Sequence, residues 1–493
     1  MKSFVFRKRQ YINFPMLLRV IGWLLMIEAC FMTIPLITGF IMGDRGGWAF
    51  LISIIITLFA GVVLMSLRPK TRDMGRREAI LLTGLTWVIL SMFGMLPFLI
   101  SGTHLSFTDA FFETMSGFTT TGVSVLSTLE GVPSSILLWR CIEQWIGGLG
   151  IILFTLAVVP MLNTQGGMLL FNAEVTGITH DKLRPRVSYT AKSLWLIYII
   201  LTALLVVLLA FSDMDFFDAL CYGLSTMSTG GFATTDRTVA DLHNLYIKIV
   251  MTIFMMLGGI SFTLLYKLAY GQFREAFRND ALKMYLYFIA GGYLLLTFSA
   301  WLSGRITEWD DVLIDPLFQA VSIISSTGIS EPDFSLWGPL ASIVTVLMML
   351  VGACAGSTSG GAKIDRILIL FRFLKNEFYR LMHPSSVTTV CINGRGTSYL
   401  VVQRVLAFLF LYILVIVGTS MVLSVIGVSV EDSFYSVACA ISNAGMGDNP
   451  TGILIDYSVM PKAAKWILAG VMLIGRLEIF TILLLFTSTF WRK

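Results

Sequence analysis

Long apolar runs alternate with shorter polar connections along almost the whole chain. Most runs approach or exceed the roughly 20 residues that a helix needs to cross a bilayer. Backbone at membrane depth must satisfy its own hydrogen bonds, so the runs predict helices rather than strands. They lie near 16–42, 48–67, 79–101, 136–161, 193–211, 245–270, 284–303, 339–355, 399–427 and 464–490. The pattern predicts an all-α polytopic membrane protein with ten crossings.

Composition agrees with this interpretation. Of the 493 residues, 56% are hydrophobic and only 13% are charged, and the mean hydropathy is +0.81. A soluble domain carries about twice that share of charge, so a soluble enzyme is excluded. The six cysteines and four histidines are scattered and form no CxxC pair, which argues against a disulfide framework or a zinc site. The net charge of +5 comes without a basic domain, so no nucleic acid partner is expected.

Basic residues mark every second connection. They precede run one, follow runs two, four, six and eight, and end the chain; examples are Arg7, Arg72, Lys182, Arg274, Arg372 and Arg492. Short basic connections stay in the cytoplasm. The distribution predicts a multi-pass membrane protein with both termini in the cytoplasm.

Four of the outer connections contain a shorter apolar segment that ends in glycine. The segments read TDAFFETMSGFTTTG, FDALCYGLSTMSTGG, IDPLFQAVSIISSTG and EDSFYSVACAISNAG. In each, a glycine follows an aspartate by thirteen residues: Asp109 and Gly122, Asp218 and Gly231, Asp315 and Gly328, Asp432 and Gly445. A single copy would be an ordinary turn, but four copies between paired runs predict a repeat. The boundaries are an N-terminal two-helix region 1–70 and repeats 71–180, 181–275, 276–390 and 391–493.

Each short segment is too short to cross a membrane, which predicts a half-helix that dips in from outside. We expect the aspartate at its start to be the N-cap. The helix C-terminus would then point toward the membrane middle, followed by a glycine loop whose carbonyls can turn inward. Four such loops around one axis would suit a dehydrated monovalent cation.

The third repeat contains an unusual run of small and polar residues after its second helix. The run resembles a phosphate-binding loop, but Ala362 separates Gly361 from Lys363, and Ile364 follows this lysine where the motif needs serine or threonine. We therefore predict that residues 353–362 form a movable intramembrane loop that gates the pore below the filter. The candidate gating residues are Gly352, Gly356, Ser357, Thr358, Ser359, Gly360, Gly361, Lys363 and Arg476.

Arg476 lies in the last apolar run, where a charge needs a partner or water. One interpretation is a bridge to another helix, with Glu143 as the candidate partner. The other is that Arg476 points into the pore beneath the filter and repels cations. Both interpretations remain open at this point.

Several motifs resemble the Trk/Ktr/HKT superfamily of potassium transporters, of the bacterial TrkH/TrkG type. They are TTTGVS (119–124), STGGFAT (228–234), SSTGIS (325–330), SNAGMGD (442–448), WIGGLGI (145–151), GSTSGGAK (356–363) and GRLEIF (475–480). The resemblance covers essentially the whole chain. It implies a selectivity filter made of Thr120, Thr121, Gly122, Val123, Thr229, Gly230, Gly231, Phe232, Ser326, Thr327, Gly328, Ile329, Asn443, Ala444, Gly445 and Met446.

The resemblance also implies potassium as the bound ion, with glycine at all four key positions favouring potassium over sodium. The line at 443–446 departs most from the potassium-channel pattern, which favours a less selective filter. A homodimer in the lipid bilayer and a cytoplasmic, nucleotide-binding regulatory subunit of the TrkA type are implied as well. No cofactor other than potassium is expected on this chain, since it lacks a dinucleotide-binding fingerprint.

Three functions compete. The first is a potassium uptake subunit, with sodium or poorly selective cation transport as the runner-up. The second is an ion-coupled secondary transporter for another solute, but such folds usually show two inverted halves rather than four similar units. The third is a membrane enzyme, which needs a catalytic cluster that the filter segments do not offer. The repeat favours the first, and we expect no enzymatic activity.

Overall fold

A computed structural model describes residues 12–69, 75–148, 150, 187–236, 244–304, 309–330, 334–445 and 455–491. Within this part of the chain the regular secondary structure is helical apart from one short hairpin. The hairpin pairs Cys391–Ile392 with Arg395–Gly396 in antiparallel fashion. The α-helices are α1 Phe14–Met42, α2 Gly46–Ser66, α3 Arg76–Gly94, α4 Leu96–Ile100, α5 Phe107–Phe118, α6 Ser134–Gly148, α7 Val187–Ala210, α8 Phe216–Met227, α9 Leu245–Gly258, α10 Phe262–Ala269, α11 Phe273–Phe277, α12 Asp280–Leu302, α13 Trp309–Ile324, α14 Pro339–Val351, α15 Ile364–Met382, α16 Tyr399–Ile426, α17 Val430–Ser442, α18 Lys462–Arg476, α19 Phe480–Leu485 and α20 Ser488–Trp491.

Six helices among the described residues are long and apolar enough to cross a membrane. Two of them are α1 and α2, which precede the repeats. The other four are the first helices of repeats 1 to 4, at Arg77–Ile100, Ala191–Ala210, Asp280–Leu302 and Tyr399–Ile426. The predicted layout, two extra helices followed by four repeats, is therefore confirmed.

The second helix of a repeat is shorter than its apolar run predicts. In repeat 2 the chain bends by 109° between α9 and α10, and in repeat 4 the helix breaks between Arg476 and Phe480. The prediction of continuous helices over 245–270 and 464–490 is therefore wrong. In repeat 1 the corresponding run is described only as far as Gly148, and the rest of 136–161 lies outside the described residues apart from Gly150.

Hydrogen bonds explain the break in repeat 2. A continuous helix would pair the carbonyl of Gly258 with the amide of Phe262. Instead the Gly258 carbonyl accepts from the amide of Thr358 at 3.4 Å, and the Phe262 amide donates to the carbonyl of Gly356 at 2.9 Å. Both groups are bound to the intramembrane loop of repeat 3, so the loop replaces the helical bonds that it interrupts.

The four half-helices α5, α8, α13 and α17, called pore helices 1 to 4 below, are largely buried, although each carries polar residues. The predicted aspartate N-caps are wrong. The N-caps are Ser106, Asp215 and Ser429 in repeats 1, 2 and 4, and each lies three residues before the expected aspartate. In repeat 3 the helix already begins at Trp309, so Asp315 lies in its second turn.

The displaced aspartates still stabilise their helices. The hydroxyl of Ser106 donates to the carboxylate of Asp109 at 2.6 Å and accepts from its amide, and Ser429 and Asp432 make the same pair of bonds. A carboxylate in the first turn also interacts favourably with the positive end of the helix dipole. In repeats 1 and 4 the sequence pattern misjudged the helix start by one turn because a serine takes the capping position.

Two ion pairs join neighbouring repeats near the starts of the pore helices. Lys465 of α18 binds Asp109 of pore helix 1, and Lys248 of α9 binds Asp315 of pore helix 3 with Nζ 2.6 Å from Oδ1. Both lysines are nearly fully buried. Repeat 4 is thus clamped to repeat 1, and repeat 2 to repeat 3, which gives the fourfold arrangement a twofold pattern of charge.

We predict that Lys465→Met destabilises the protein because it leaves Asp109 without its cation in a partly buried position. The expected loss is roughly 3 kcal/mol. Thermal unfolding of the purified protein in detergent measures it. The control is Arg380→Ala, which breaks the exposed pair of Arg380 with Glu377 and should cost about 0.5 kcal/mol or less. Equal melting temperatures for Lys465→Met and wild type would contradict the clamp.

Candidate ion-selectivity filter

Each pore helix ends in the same hydrogen-bonded turn. Near the end of each helix a backbone amide bonds the carbonyl five positions back, as Thr121 does with Ser116 at 2.9 Å. The equivalent bonds join Gly230 to Ser225, Thr327 to Ser322 and Ala444 to Cys439. This is the Schellman motif, which satisfies carbonyls that a helix end would otherwise leave unpaired. The negative end of each helix dipole therefore leads directly into the following loop.

The residue at the turn adopts a left-handed conformation in all four repeats. These residues are Thr120, Thr229, Ser326 and Asn443, with φ between +49° and +57°. Glycine or asparagine is usual at this position, and a β-branched threonine there is uncommon. Threonine or serine adopts this conformation in three of the four repeats, so the surrounding structure imposes one loop geometry on all four.

The loops that follow, 120–123, 229–232, 326–329 and 443–446, are called filter loops 1 to 4 and form a closed ring. Each filter glycine packs so tightly against a carbonyl of the next loop that an added Cβ would lie closer than 3.0 Å to that oxygen. The four contacts join Gly122 to the carbonyl of Gly230, Gly231 to that of Thr327, Gly328 to that of Gly445, and Gly445 to that of Thr121. The order runs 1, 2, 3, 4 and back to 1, so four backbone segments surround a common axis.

Filter loop 4 differs from the other three. Gly122, Gly231 and Gly328 share a left-handed conformation with φ of +80° to +83°, which Gly445 does not adopt. The carbonyl that meets the neighbouring glycine also lies one residue later in loop 4. This agrees with the expectation that the line at 443–446 departs most from the others. Met446 itself lies outside the described residues.

Buried side chains hold the loops from behind. The hydroxyls of Ser116 and Ser322 donate to the carbonyls of Val123 and Ile329 at 2.6 and 2.5 Å. In repeat 2 the Gln144 side-chain oxygen accepts from the hydroxyl of Ser225 and from the amide of Phe232 instead. The sequence analysis missed these residues. A signal was present, because a serine stands seven positions after the aspartate in three of the four repeats.

Asn443 ties filter loop 4 to the first loop. Its amide nitrogen donates to the hydroxyl of Thr121 and to the carbonyl of Met472, both at 3.0 Å. The hydroxyl of Thr121 also bonds that of Thr119 at 2.8 Å. The ring is therefore closed between its first and last members by side chains as well as by backbone contact.

The intramembrane loop 353–362 lies directly against the ring. The hydroxyl of Ser326 is 2.8 Å from that of Ser359 and accepts from the amide of Gly360 at 2.7 Å. Gly360 also packs against the carbonyl of Ser442 at the end of pore helix 4, where a side chain would not fit. The Lys363 ammonium donates to the Ser359 carbonyl. The predicted break in the third repeat is thus present, and it touches filter loop 3 and pore helix 4.

Arg476 joins the intramembrane loop to repeat 1. Its guanidinium donates to the carbonyl of Thr358 at 2.7 Å and to those of Gly147 and Gly148. The alternative partner Glu143 is buried, and among the described residues neither of its carboxylate oxygens has a hydrogen-bond partner. The interpretation of Arg476 as a bridge to Glu143 is therefore wrong. The arginine instead binds backbone carbonyls of the intramembrane loop and of the end of α6.

The structure brings the predicted filter residues together, apart from Met446, and places the predicted gating residues beside them. It defines an all-α polytopic membrane protein with four helix–loop–helix repeats around a pseudo-fourfold pore. A sequence profile of the TrkH family, described as cation transport proteins, matches residues 46–290 and 306–493. The chain belongs to this family.

Individual relatives match along nearly their whole length. The Trk system potassium uptake protein TrkH of Salmonella typhimurium is 35% identical over 488 residues, which cover 98% of this chain and 100% of the relative. The protein of the same name from Escherichia coli is 34% identical over 486 residues, with the same coverage. The crystal structure of the potassium transporter TrkH from Vibrio parahaemolyticus matches with a TM-score of 0.88 and 31% identity, covering 97% of this chain and 100% of that one.

We predict that Gly122→Ser lowers the selectivity for potassium over sodium. The added Cβ would collide with the carbonyl of Gly230, and the serine would have to adopt a φ of +83°. The ring must therefore distort. A left-handed residue costs about 1–2 kcal/mol before any collision is counted. The measurement is the ratio of rubidium to sodium uptake by liposomes that contain the variant.

The control is Gly131→Ser. Gly131 has a similar φ of +81°, but no atom lies within 4 Å of an added Cβ. The control carries the same backbone strain outside the filter, so its ion ratio should match wild type. If folded Gly122→Ser also keeps the wild-type ratio, the assignment of filter loop 1 fails.

Proposed function

We propose that this protein takes up potassium across the bacterial inner membrane through the ring of filter loops. The observation that carries the proposal is the cyclic packing of filter glycines against neighbouring carbonyls. It leaves no space for side chains, so an ion on the axis meets backbone groups. Carbonyl oxygens can replace the hydration shell of a monovalent cation. The relatives named as potassium uptake proteins support potassium as that cation.

Four pore helices add a favourable field. The C-terminal end of each carries roughly half a negative charge, and all four lead into the ring. A cation at the centre would be stabilised by the four helix ends together. This stabilisation comes from the backbone and does not require charged side chains on the pore helices. This arrangement favours a cation over an anion or a neutral solute.

The intramembrane loop and Arg476 would form the gate. Residues 353–362 occupy the space beside the base of the ring, and hydrogen bonds hold them to Ser326, to Gly258 and to Arg476. Glycine and small polar residues in the loop leave it without large buried side chains to anchor it. Opening would break these few bonds and move the loop from the ion path.

Regulation and assembly follow from the family resemblance. We propose a homodimer in the bilayer, with both termini in the cytoplasm, and a cytoplasmic nucleotide-binding subunit of the TrkA type as the gating partner. The helix α15 follows the intramembrane loop directly. Its first two turns carry the buried residues Ile364, Arg366, Leu368 and Ile369, and its last turn is exposed. A partner that pulls on this helix would act on the loop through a continuous chain segment. Nucleic acid binding and enzymatic activity form no part of the proposal.

The direct test is ion uptake by liposomes that contain the purified chain alone. Rubidium and sodium uptake are compared, each with and without a pH gradient. The proposal predicts that rubidium uptake exceeds sodium uptake. Equal uptake of both ions, or uptake of sodium alone, would favour the alternative of a poorly selective or sodium transporter. A strict requirement for the pH gradient would favour an ion-coupled mechanism over a channel-like one.

Shortening the intramembrane loop should raise basal flux. Deleting Ser357 and Thr358 removes the bonds of Thr358 to the Gly258 carbonyl and to Arg476. The loop then loses both its length and its tether beneath the ring. Rubidium uptake without any partner protein measures the effect, and unchanged uptake by the folded variant would remove the loop from the gate.

Replacement of Arg476 tests the same gate from the other side. Arg476→Ala should increase potassium flux because it removes both the positive charge and the bond to the Thr358 carbonyl. Arg476→Lys keeps the charge, but its ammonium group lacks the planar fork with which the guanidinium reaches three carbonyls. High flux in both variants would show that the hydrogen bond to the Thr358 carbonyl keeps the gate closed. High flux in the alanine variant alone would show that the positive charge keeps it closed. Wild-type flux in both would contradict either role.

A further inference from the structure

A buried ion pair lies directly behind filter loops 1 and 2. Glu113 of pore helix 1 is fully buried, and Arg140 of α6 is 2% exposed, with Arg140 Nε 2.8 Å from Glu113 Oε1. Two charges in a membrane protein interior lose several kcal/mol of hydration each, unless close pairing and further hydrogen bonds compensate. The structure provides both, so the geometry around this pair is tightly constrained.

Glu113 binds the chain just beyond filter loop 1. Its carboxylate accepts from the hydroxyl of Ser124 at 2.9 Å and from the amide of Val125 at 2.8 Å. Arg140 Nη2 donates to the same Ser124 hydroxyl at 3.0 Å. The end of filter loop 1 is therefore anchored to both members of the ion pair.

Arg140 also reaches filter loop 2. Its Nη1 donates to the carbonyl of Ala233 at 3.3 Å, and its guanidinium lies 4.1 Å from the centre of the Phe232 ring. Phe232 is the last residue of filter loop 2, and Ala233 follows it. One planar side chain thus contacts the residue that directly follows filter loop 1 and the last residue of filter loop 2.

The ion pair of Arg140 with Glu113 lies at one of the four junctions between filter loops. The positions equivalent to Glu113, four residues after each repeat aspartate, hold Tyr222, Gln319 and Ser436. None of these residues is charged, so an ion pair of this kind cannot form at the other three positions. The junction between loops 1 and 2 therefore depends on Arg140 and Glu113 in a way that the others do not.

We propose that Arg140 and Glu113 are positioning residues that set the spacing of filter loops 1 and 2 and thereby the preference for potassium. The inference rests on the proposed function and adds to it the residues that hold one side of the ring. Selectivity between cations depends on how carbonyls are held around the ion. A guanidinium that bonds the residues directly after both loops fixes the separation of the loop ends, whereas an ammonium makes no such planar double contact.

The best test variant is Arg140→Lys because it keeps the buried positive charge opposite Glu113. The ratio of rubidium to sodium uptake in liposomes should fall about tenfold, equivalent to about 1.4 kcal/mol of differential binding. Thermal unfolding is measured on the same preparation. If the lysine variant does not fold, the double variant Glu113→Gln with Arg140→Gln replaces the ion pair by neutral side chains, and the same fall is expected.

The matched control is Lys465→Met, which breaks another nearly buried ion pair that makes none of these filter contacts. It should lose stability but keep the wild-type ion ratio. A wild-type ratio in folded Arg140→Lys, or in the double variant where the lysine variant does not fold, would overturn the inference. An equal fall in Lys465→Met would overturn it too, since selectivity would then follow stability alone. If the wild-type protein shows no preference for rubidium, the proposed function itself fails.

Discussion

Four stretches of non-helical backbone meet inside a membrane protein, and the rest of the fold must supply hydrogen-bond partners for their backbone groups. A backbone amide or carbonyl without a partner costs several kcal/mol in a medium without water. The pore helices reduce this cost by ending in a turn that satisfies their own carbonyls. The loops beyond them leave room for close backbone contact only because glycine stands at the key position of each.

The same constraint accounts for the break in the second helix of repeat 2. The carbonyls of Gly258 and Gly259 bind the amides of Thr358 and Cys354 instead of continuing their own helix. The intramembrane loop in turn obtains hydrogen-bond partners that it could not find in lipid. The broken helix and the intramembrane loop therefore satisfy each other's backbone hydrogen bonds. This pairing places a segment with few large side chains next to the ring.

The sequence predicted the repeat and the break in the third repeat because each depends on a local pattern: a constant spacing of aspartate and glycine for the repeat, and a run of small and polar residues for the break. An aspartate and a glycine at a constant offset of thirteen residues identify a half-helix and its turn without knowledge of the fold. The N-caps were misplaced because Ser106 and Ser429 outcompete the aspartates, a choice between two good caps one turn apart. The partners of Arg476 could not be predicted, since the carbonyls of Gly147 and Thr358 carry no signal in their side chains. The ion pair of Glu113 with Arg140 carries no repeat signal, because the equivalent positions in the other three repeats hold Tyr222, Gln319 and Ser436.

The central claim is that the ring of filter loops binds potassium, and anomalous diffraction from crystals soaked in rubidium tests it most directly. The account predicts an anomalous peak on the axis enclosed by Gly122, Gly231, Gly328 and Gly445, which disappears when sodium replaces rubidium. Absence of a peak there from well-diffracting crystals, or a strong peak only at another position in the protein, would contradict the account.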